Sequence, residues 1–299
     1  MSDGTGRVVV VGDALIDELR DDTGVRELVG GAGLNVAVGL QLLGVATTMI
    51  AMVGDDEAGA HIRAYLADFG VELLASPSPF GSARAVSTRS GGGEPVYVFN
   101  GAAQGRRIHF GDEQRSALAE APLVVVSSFP FDDAEQTATL LDAVAGRLAV
   151  DPNPRPGLLR DRAGFVRGFE HAAARASLVK VGEEDAELLY GRPLEEVRDA
   201  IAGLGAAVVV ATKGAAGASV AVDGAVIDRG ISQLPGRIVD TMGAGDAVLA
   251  VLARALIGGV EDWGVALQLA MDTAAATCRF EGGLLRVPAA LEVKDHTGS

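Results

Sequence analysis

Short β-branched runs of strand length recur along this chain and alternate with helix-length stretches. That rhythm restricts the fold more than any other feature. Residues 7–12 (RVVVVG) form an unbroken apolar run that stops at glycine, the pattern of a strand buried on both faces. Comparable runs stand at 47–53, 123–127, 148–151, 177–181, 207–212 and 219–222. Between them, residues 33–44, 56–69, 134–145, 183–190 and 194–204 read as helices, and 246–257 reads as another in which Arg254 is the lone basic residue. In the second of these helices Ala58, Ile62, Tyr65, Leu66 and Phe69 fall at helical spacing. Such alternation predicts an α/β fold of βαβ units, with a mostly parallel central sheet flanked by helices on both faces. The 299 residues can bury a substantial core, and neither an internal repeat nor a long linker divides them, so a single domain over 1–299 is expected. One region departs from the rhythm. Residues 83–88 and 95–100 alternate like antiparallel strands around a turn at 90–93, which suits either a lid over a site or an ordinary edge hairpin.

Charge and composition exclude several functions. The formal net charge is -15, and there is no Lys/Arg tract, so nucleic acid is not expected as a partner. An anionic substrate would have to be held by local devices against the overall field. The apolar runs are strand-sized, well short of the roughly 20 residues of a membrane-spanning helix. The N-terminus is polar and acidic and leads straight into the first strand, so no signal peptide is read and a soluble cytoplasmic protein is expected. A lone cysteine, Cys278, precludes an intramolecular disulfide framework and reads as core within an Ala-rich helix. His61, His109, His171 and His296 are scattered and form no metal-ligand cluster.

Chemistry concentrates in residues 237–250, RIVDTMGAGDAVLA. A short apolar approach ends at Asp240 and Thr241, a tight turn of Gly243, Ala244 and Gly245 follows, and an almost wholly apolar helix is expected from Asp246. A helix that apolar should be buried, so its N-terminus opens into the protein. Unpaired N–H groups there, with the helix dipole behind them, make an anion site that small residues let a phosphate approach. Asp246 would stand beside that anion, where it could accept a proton from an attacking hydroxyl. The alternative is that Asp246 caps the helix. Water exclusion at a buried helix start favours phosphoryl transfer, in which positioning and electrostatics do most of the catalysis.

Two segments near the start of the chain could face a polar ligand. Residues 30–44 (GGAGLNVAVGLQLLG) make a poor dinucleotide fingerprint, because Val36 occupies the third glycine position. The glycine turn at Gly30 and Gly31 could instead bring backbone N–H groups and Asn35 to a ligand, or Asn35 could be a helix-start asparagine. Residues 12–17 (GDALID) put Asp13 and Asp17 at the C-terminal end of the first strand, where open α/β sheets bind ligands and where carboxylates can accept pairs of sugar hydroxyls. A solvated loop would look the same. Residues 212–217 (TKGAAG) follow a buried strand and could shape a nucleotide pocket or be a plain glycine turn. No Walker A pattern occurs.

Taken together, these segments resemble the ribokinase-like (PfkB-type) carbohydrate kinase family. Residues 240–246 match its D-T-x-G-A-G-D signature, and residues 30–44 match its N-terminal signature with Asn35 at the family offset. Gly12 and Asp17 match its glycine and sugar-binding acid, and Thr212, Gly214 and Gly217 match the nucleotide-side T-x-G-x-x-G. Order and spacing cover nearly the whole chain.

The resemblance implies one α/β kinase domain with a small β lid at about 15–29 and 83–104, ATP and Mg²⁺ as cofactors, and phosphorylation of a sugar hydroxyl, a primary one in the first instance. It implies Asp246 as catalytic base and Gly243, Ala244 and Gly245 as the anion hole. Asp13, Asp17, Gly30, Gly31 and Asn35 would hold the sugar, and Lys180, Asp185, Thr212, Gly214 and Gly217 would serve the nucleotide. Asp240 would help bind a monovalent cation such as K⁺, which many members use. Residues 151–156 (DPNPRP) look most like the fructokinase and keto-deoxygluconate kinase branches, which makes Arg155 a candidate to line the site. Ribokinase and nucleoside kinase remain alternatives, as does a non-catalytic sugar or nucleotide sensor on the same scaffold. An exposed lid strand could also pair across a two-fold axis into a homodimer. Three positions in two segments depart from the family pattern. The family's K-x-N-x-x-E segment has Gly182 and Asp185 in place of asparagine and glutamate, and an asparagine often found near the adenine is replaced around Asp272.

Overall fold

A computed structural model describes residues 6–21, 24–88 and 96–289. The turn expected at 90–93, the start of the following strand at residue 95, residues 1–5 of the N-terminus and His296 lie outside the described residues. In chain order the first strands are β1 (Val8–Gly12), β2 (Leu15–Asp21), β3 (Gly24–Gly30), β4 (Thr47–Val53), β5 (Glu72–Pro77), β6 (Ala83–Thr88) and β7 (Val96–Phe99). There follow β8 (Leu123–Ser127), β9 (Arg147–Asp151), β10 (Leu178–Gly182), β11 (Val208–Thr212), β12 (Ala218–Val222) and β13 (Ala225–Arg229). The helices are α1 (Ala32–Leu42), α2 (Glu57–Asp68), α3 (Gly101–Gln104), α4 (Asp112–Glu120) and α5 (Ala134–Ala143). The C-terminal half adds α6 (Arg162–Ala173), α7 (Glu183–Tyr190), α8 (Leu194–Gly203), α9 (Ala244–Ile257) and α10 (Trp263–Thr277).

The main sheet runs β13-β12-β11-β10-β9-β8-β1-β4-β5. Every pairing from β11 to β5 is parallel, and β12 and β13 join antiparallel at one edge. Strand pleating splits the valines of β1 between two cores. Val8 and Val10 face α1, α2, α9 and α10, whereas Val9 and Val11 face α4 to α8. Both faces of the sheet are therefore covered, which is why its strands read as continuous apolar runs rather than alternating ones. The chain leaves β1 toward β4 on one side and later returns to β8 on the other. The order reverses at β1, and an open α/β sheet has its crevice outside the strand ends at such a point.

A second sheet, ordered β3-β2-β6-β7, sits beside that crevice as a lid. It packs through Leu15, Ala83 and Ala85 against Ala103 and Leu158. Expected and observed strands agree at β4 and β6, while β2 and β3 form a hairpin, so that Asp17 lies on a strand and not in a solvated loop. Helix α9 starts at Ala244, two residues ahead of the expected Asp246. Cys278 is not core: it follows the last residue of α10 and is half-buried. Among the described residues, no helix is long and apolar enough to cross a membrane.

Candidate active site

The site begins where β1 ends. Gly12 is tight against the start of α1, since a Cβ there would come within 2.9 Å of the Gly33 Cα. This contact brings the next residue, Asp13, over the helix N-terminus. Its carboxylate accepts the Gly33 N–H at 2.9 Å and its carbonyl accepts the Leu34 N–H at 3.0 Å. Helix α1 has no side-chain cap of its own, its N-cap being Gly31 at φ 111°, so Asp13 satisfies an orphan donor from outside the helix. Asp17 follows on β2. A Cβ on Gly30 would collide with its Oδ2 at 2.3 Å, so glycine at that position makes room for the carboxylate.

Helix α9 supplies the opposite wall. Its N-cap is Gly243, in the left-handed region at φ 75°, where a Cβ would strike the Gly283 carbonyl oxygen at 2.3 Å. Ala244, Gly245 and Asp246 form the first turn, whose N–H groups have no acceptor within the helix. The Ala244 N–H leans on the Thr241 carbonyl at 3.3 Å. Asp246 is thus not the N-cap. Its Oδ2 instead accepts the Asn35 Nδ2–H at 2.8 Å, which joins the two helix starts. Asp240 fastens the loop ahead of α9, its carboxylate accepting the N–H groups of Met242 and Gly282 at 3.0 Å each.

The third wall comes from β9 and β10. Lys180 Nζ stands 2.9 Å from Asp151 Oδ2, with Asp151 fully buried and Lys180 6% exposed. The ammonium lies against the start of α9, 3.2 Å from where a Cβ on Gly245 would sit. Asp185, in the first turn of α7, accepts the Gly182 N–H at 2.7 Å.

These walls enclose one cleft of about 850 Å³. Asp13, Asp17, Gly31 and Asn35 line it from the N-terminal side; Gly243, Gly245 and Asp246 from α9; Arg155, Lys180, Asp185, Thr212, Gly214 and Asp240 complete it. Gly30, Ala244 and Gly217 do not line the cleft. Gly30 packs on Asp17, and Gly217, at φ 97°, makes room for the Arg229 carbonyl, so both shape neighbouring backbone.

Crowding of carboxylates sets the electrostatics. Burial, with neighbouring Asp151 adding to it, raises the Asp246 carboxyl to about 7, against the lowering pull of Asn35, Lys180 and Arg155. Burial and the Asp13 charge raise Asp17 to about 7, and burial raises Asp185 to about 6 and Asp13 above its ordinary value. Burial by itself would depress the Lys180 ammonium, but Asp151 and Asp185 beside it reverse the sign and hold it above the ordinary value. A carboxylate near neutrality beside an anion-binding helix start and a buried ammonium can exchange a proton with a hydroxyl and receive developing negative charge in the same place.

The arrangement has a matching sequence profile. The pfkB family of carbohydrate kinases matches residues 6–290. The chain belongs to the pfkB carbohydrate kinase family. It is 31% identical over 260 residues to a fructokinase of Rhizobium leguminosarum bv. trifolii, covering 80% of this chain and 76% of the relative. It is 29% identical over 304 residues to a fructokinase of Klebsiella pneumoniae, covering 95% and 96%. A crystal structure of the Vibrio cholerae O395 fructokinase with fructose, ADP and calcium ion superposes with a TM-score of 0.79 at 25% identity, covering 97% of this chain and 99% of that one. The activity of this PfkB-family chain is ATP-dependent phosphorylation of a sugar.

Several residues in and behind the cleft were not singled out from the sequence. Asp151, fully buried behind the cleft wall and not lining it, was visible only as part of DPNPRP, with nothing to show that it would partner Lys180. Asn153 lines the cleft, at φ 38°, and Phe99 reaches it from the lid. A left-handed non-glycine residue at a strand end is the kind of backbone strain that collects at functional sites, but it leaves no mark in sequence.

Proposed function

We propose that the chain transfers the γ-phosphoryl group of ATP to a primary hydroxyl of a small sugar, with a fructose-like ketose as its substrate class. One observation carries this: Asp246, raised to about 7 in the first turn of α9, shares a cleft with the carboxylates of Asp13 and Asp17 and the Asn35 amide. The sugar lies between Asp13, Asp17, Gly31 and Asn35, with the accepting hydroxyl at Asp246. The hydroxyl proton passes to the Asp246 carboxylate as the oxygen bonds to the γ-phosphorus. The bond from that phosphorus to the bridging oxygen breaks, and ADP leaves with the electron pair. Backbone N–H groups at Gly243 and Gly245, on either side of Ala244, together with Lys180, meet the charge that develops on the transferring group. Lys180, Asp185, Thr212 and Gly214 serve the nucleotide side, and Gly217, outside the cleft lining, shapes the backbone beside them.

The donor set bears on the metal. Among the described residues, no three His, Cys, Asp or Glu side chains gather as a cation cage. That fits a Mg²⁺ ion held by phosphates and water with at most one or two protein carboxylates, for which Asp185 is the candidate. When bound, such an ion supplies charge neutralisation at the phosphates. Asp240 is the candidate near a K⁺ ion, and the relative from Vibrio cholerae has been solved with potassium ion. Lid movement over the cleft would exclude water and limit ATP hydrolysis. A homodimer through the lid also belongs to the proposal, because β3 and β7 are the outer strands of that sheet and carry the exposed Val25 and Val98.

The fructose-like class is supported by the names of the relatives and by the electrically crowded, carboxylate-rich sugar side of the cleft. A coupled ADP-release screen with fructose, ribose, keto-deoxygluconate, other hexoses and nucleosides tests it. Fructose is expected to give the highest kcat/KM. A higher value for ribose or a nucleoside would reassign the substrate, and sugar binding with no ADP from any acceptor would indicate a sensor.

A further inference from the structure

Beyond Asp13 the cleft continues into a second, smaller cavity that shares Asp13 and Leu15 with it. It lies at the C-terminal ends of β1 and β8, where the strand order reverses. Most of its wall is apolar, from Leu15, Met52, Ile108 and Phe129 among others, and its polar groups are Asp13, Arg106 and Ser128. Two of these are held with bonding capacity to spare. Arg106 Nε is shielded from solvent and has no hydrogen-bond partner, and the buried Ser128 Oγ stands beside the Asp13 carboxylate with acceptor capacity left over. Ser128 itself is 2% exposed and sits at φ 54°, a strained conformation for a residue with a side chain. A buried guanidinium nitrogen without a partner is costly and rare in a finished fold, so its place on the wall of this cavity points to a ligand group.

Size and charge decide which group. The cavity measures about 20 Å³ on a scale where one water needs about 10–15 Å³, so it takes a single small polar group and not a branched one. Its ions are already balanced. Arg106 lies within electrostatic reach of Asp13 and Asp132 and of a second cation, Arg160. Asp132 is committed to Arg160, whose backbone N–H it accepts at 3.0 Å. An added carboxylate or phosphate would leave one negative charge uncompensated beside Asp13, whereas a neutral hydroxyl would use the open donor and leave the balance intact.

We propose that Arg106 is a specificity-determining residue, which with Asp13 and Ser128 receives the uncharged hydroxymethyl group at the end of the sugar remote from the accepting hydroxyl. No residue of α9 lines this cavity, so what it holds lies on the far side of Asp13 from Asp246. The methylene of the group meets the apolar wall, and its oxygen meets the guanidinium, the Ser128 hydroxyl and the Asp13 carboxylate. In a ketohexose phosphorylated at its other end, that group is the C1 hydroxymethyl. The inference rests on the sugar-kinase function proposed above and narrows it to neutral acceptors.

Calorimetric binding to the full chain tests it with a series that differs only at C1: fructose, 1-deoxyfructose, 2-ketogluconate and fructose 1-phosphate. The wild-type chain is expected to bind fructose at least about tenfold more tightly than each of the others, because a site built around a hydroxyl rejects analogues that lack it. Arg106→Met should reduce the preference for fructose over 1-deoxyfructose to near unity. Ser128→Gly, which suits the positive φ and so should fold, should also reduce it. Equal binding of 2-ketogluconate or fructose 1-phosphate by the wild-type chain would overturn the proposal, and so would an unchanged preference in both variants. ADP release measured on the same samples separates the two levels. Loss of C1 discrimination in the variants with no ADP formed by the wild type would support the subsite and refute the kinase chemistry, whereas ADP formation with discrimination unaltered would do the reverse.

Discussion

Asn35 and Asp246, 211 positions apart in sequence, meet through a 2.8 Å hydrogen bond in which the amide nitrogen of Asn35 donates to the carboxylate of Asp246. This contact ties the start of α1 to the start of α9 and acts on the protonation of the group proposed as base. The bond favours the ionised carboxylate and so lowers the Asp246 pKa, while burial, the larger influence, raises it. Asn35→Ala should remove the lowering influence. The acid limb of the kcat/KM profile should therefore move to higher pH, and the KM for sugar should rise. A pH profile unchanged in position would separate Asn35 from the base.

The wild-type profile follows from the same groups. A base raised to about 7 is active only when deprotonated, so kcat should fall as the pH drops through about 7. Stability carries the opposite sign. Between about pH 4 and pH 7 the folded chain keeps protons on Asp17 and Asp246 that the unfolded chain has released, so stability declines as pH rises through that window. The Asp246→Asn variant should accordingly have a higher Tm than wild type at pH 8, measured by calorimetry, with the difference shrinking toward pH 4.

The two glycines of the proposed anion hole should separate stability from catalysis. At Gly243 a methyl group would meet backbone at 2.3 Å in a left-handed conformation, so Gly243→Ala should lower the Tm and abolish turnover together. At Gly245 the nearest atom is the end of a lysine side chain at 3.2 Å, which can move. Gly245→Ala should fold normally and lose about 10² in kcat by obstructing the phosphoryl site. Equal Tm losses in the two variants, in thermal melts, would contradict this division.

The buried Lys180–Asp151 pair offers a third test. Lys180→Met leaves the Asp151 carboxylate without its partner in a fully buried position. Unpairing a buried charge costs about 3–5 kcal/mol, which urea denaturation should register. The double variant Lys180→Met with Asp151→Leu should recover much of that stability while remaining inactive. A double variant with wild-type turnover would remove Lys180 from the phosphoryl site.

Much of this fold could be read from sequence because the central sheet is covered on both faces. Strands such as β4 and β8 bury every residue, and that produces the unbroken apolar runs by which they were recognised. Where burial is incomplete the signal fades. Strand β3 exposes most of its length and β13 is only partly covered, so neither shows a clear period. Helix α4 buries Leu118 alone among its residues, which leaves its amphipathic pattern weak. In the site, the glycine turn and Asp246 could be placed at the start of a buried helix because the apolar run after them is continuous, and the structure has them line the cleft. The start of α9 was misplaced by two residues, since Gly243 supplies the left-handed cap without any side chain to announce it. The partnerships of Asp13 with the α1 N-terminus, of Lys180 with Asp151, and of Arg106 with the second cavity were illegible because each joins a helix start, a neighbouring strand or a loop to a residue that only the tertiary fold brings near it.

The most direct test of the account is the Asp246→Asn variant, with ADP release and sugar binding measured on the same preparation. A fall in kcat of about 10²–10⁴-fold is expected, with sugar affinity close to that of the wild type. A variant that turns over at the wild-type rate would contradict the assignment of Asp246 as the base.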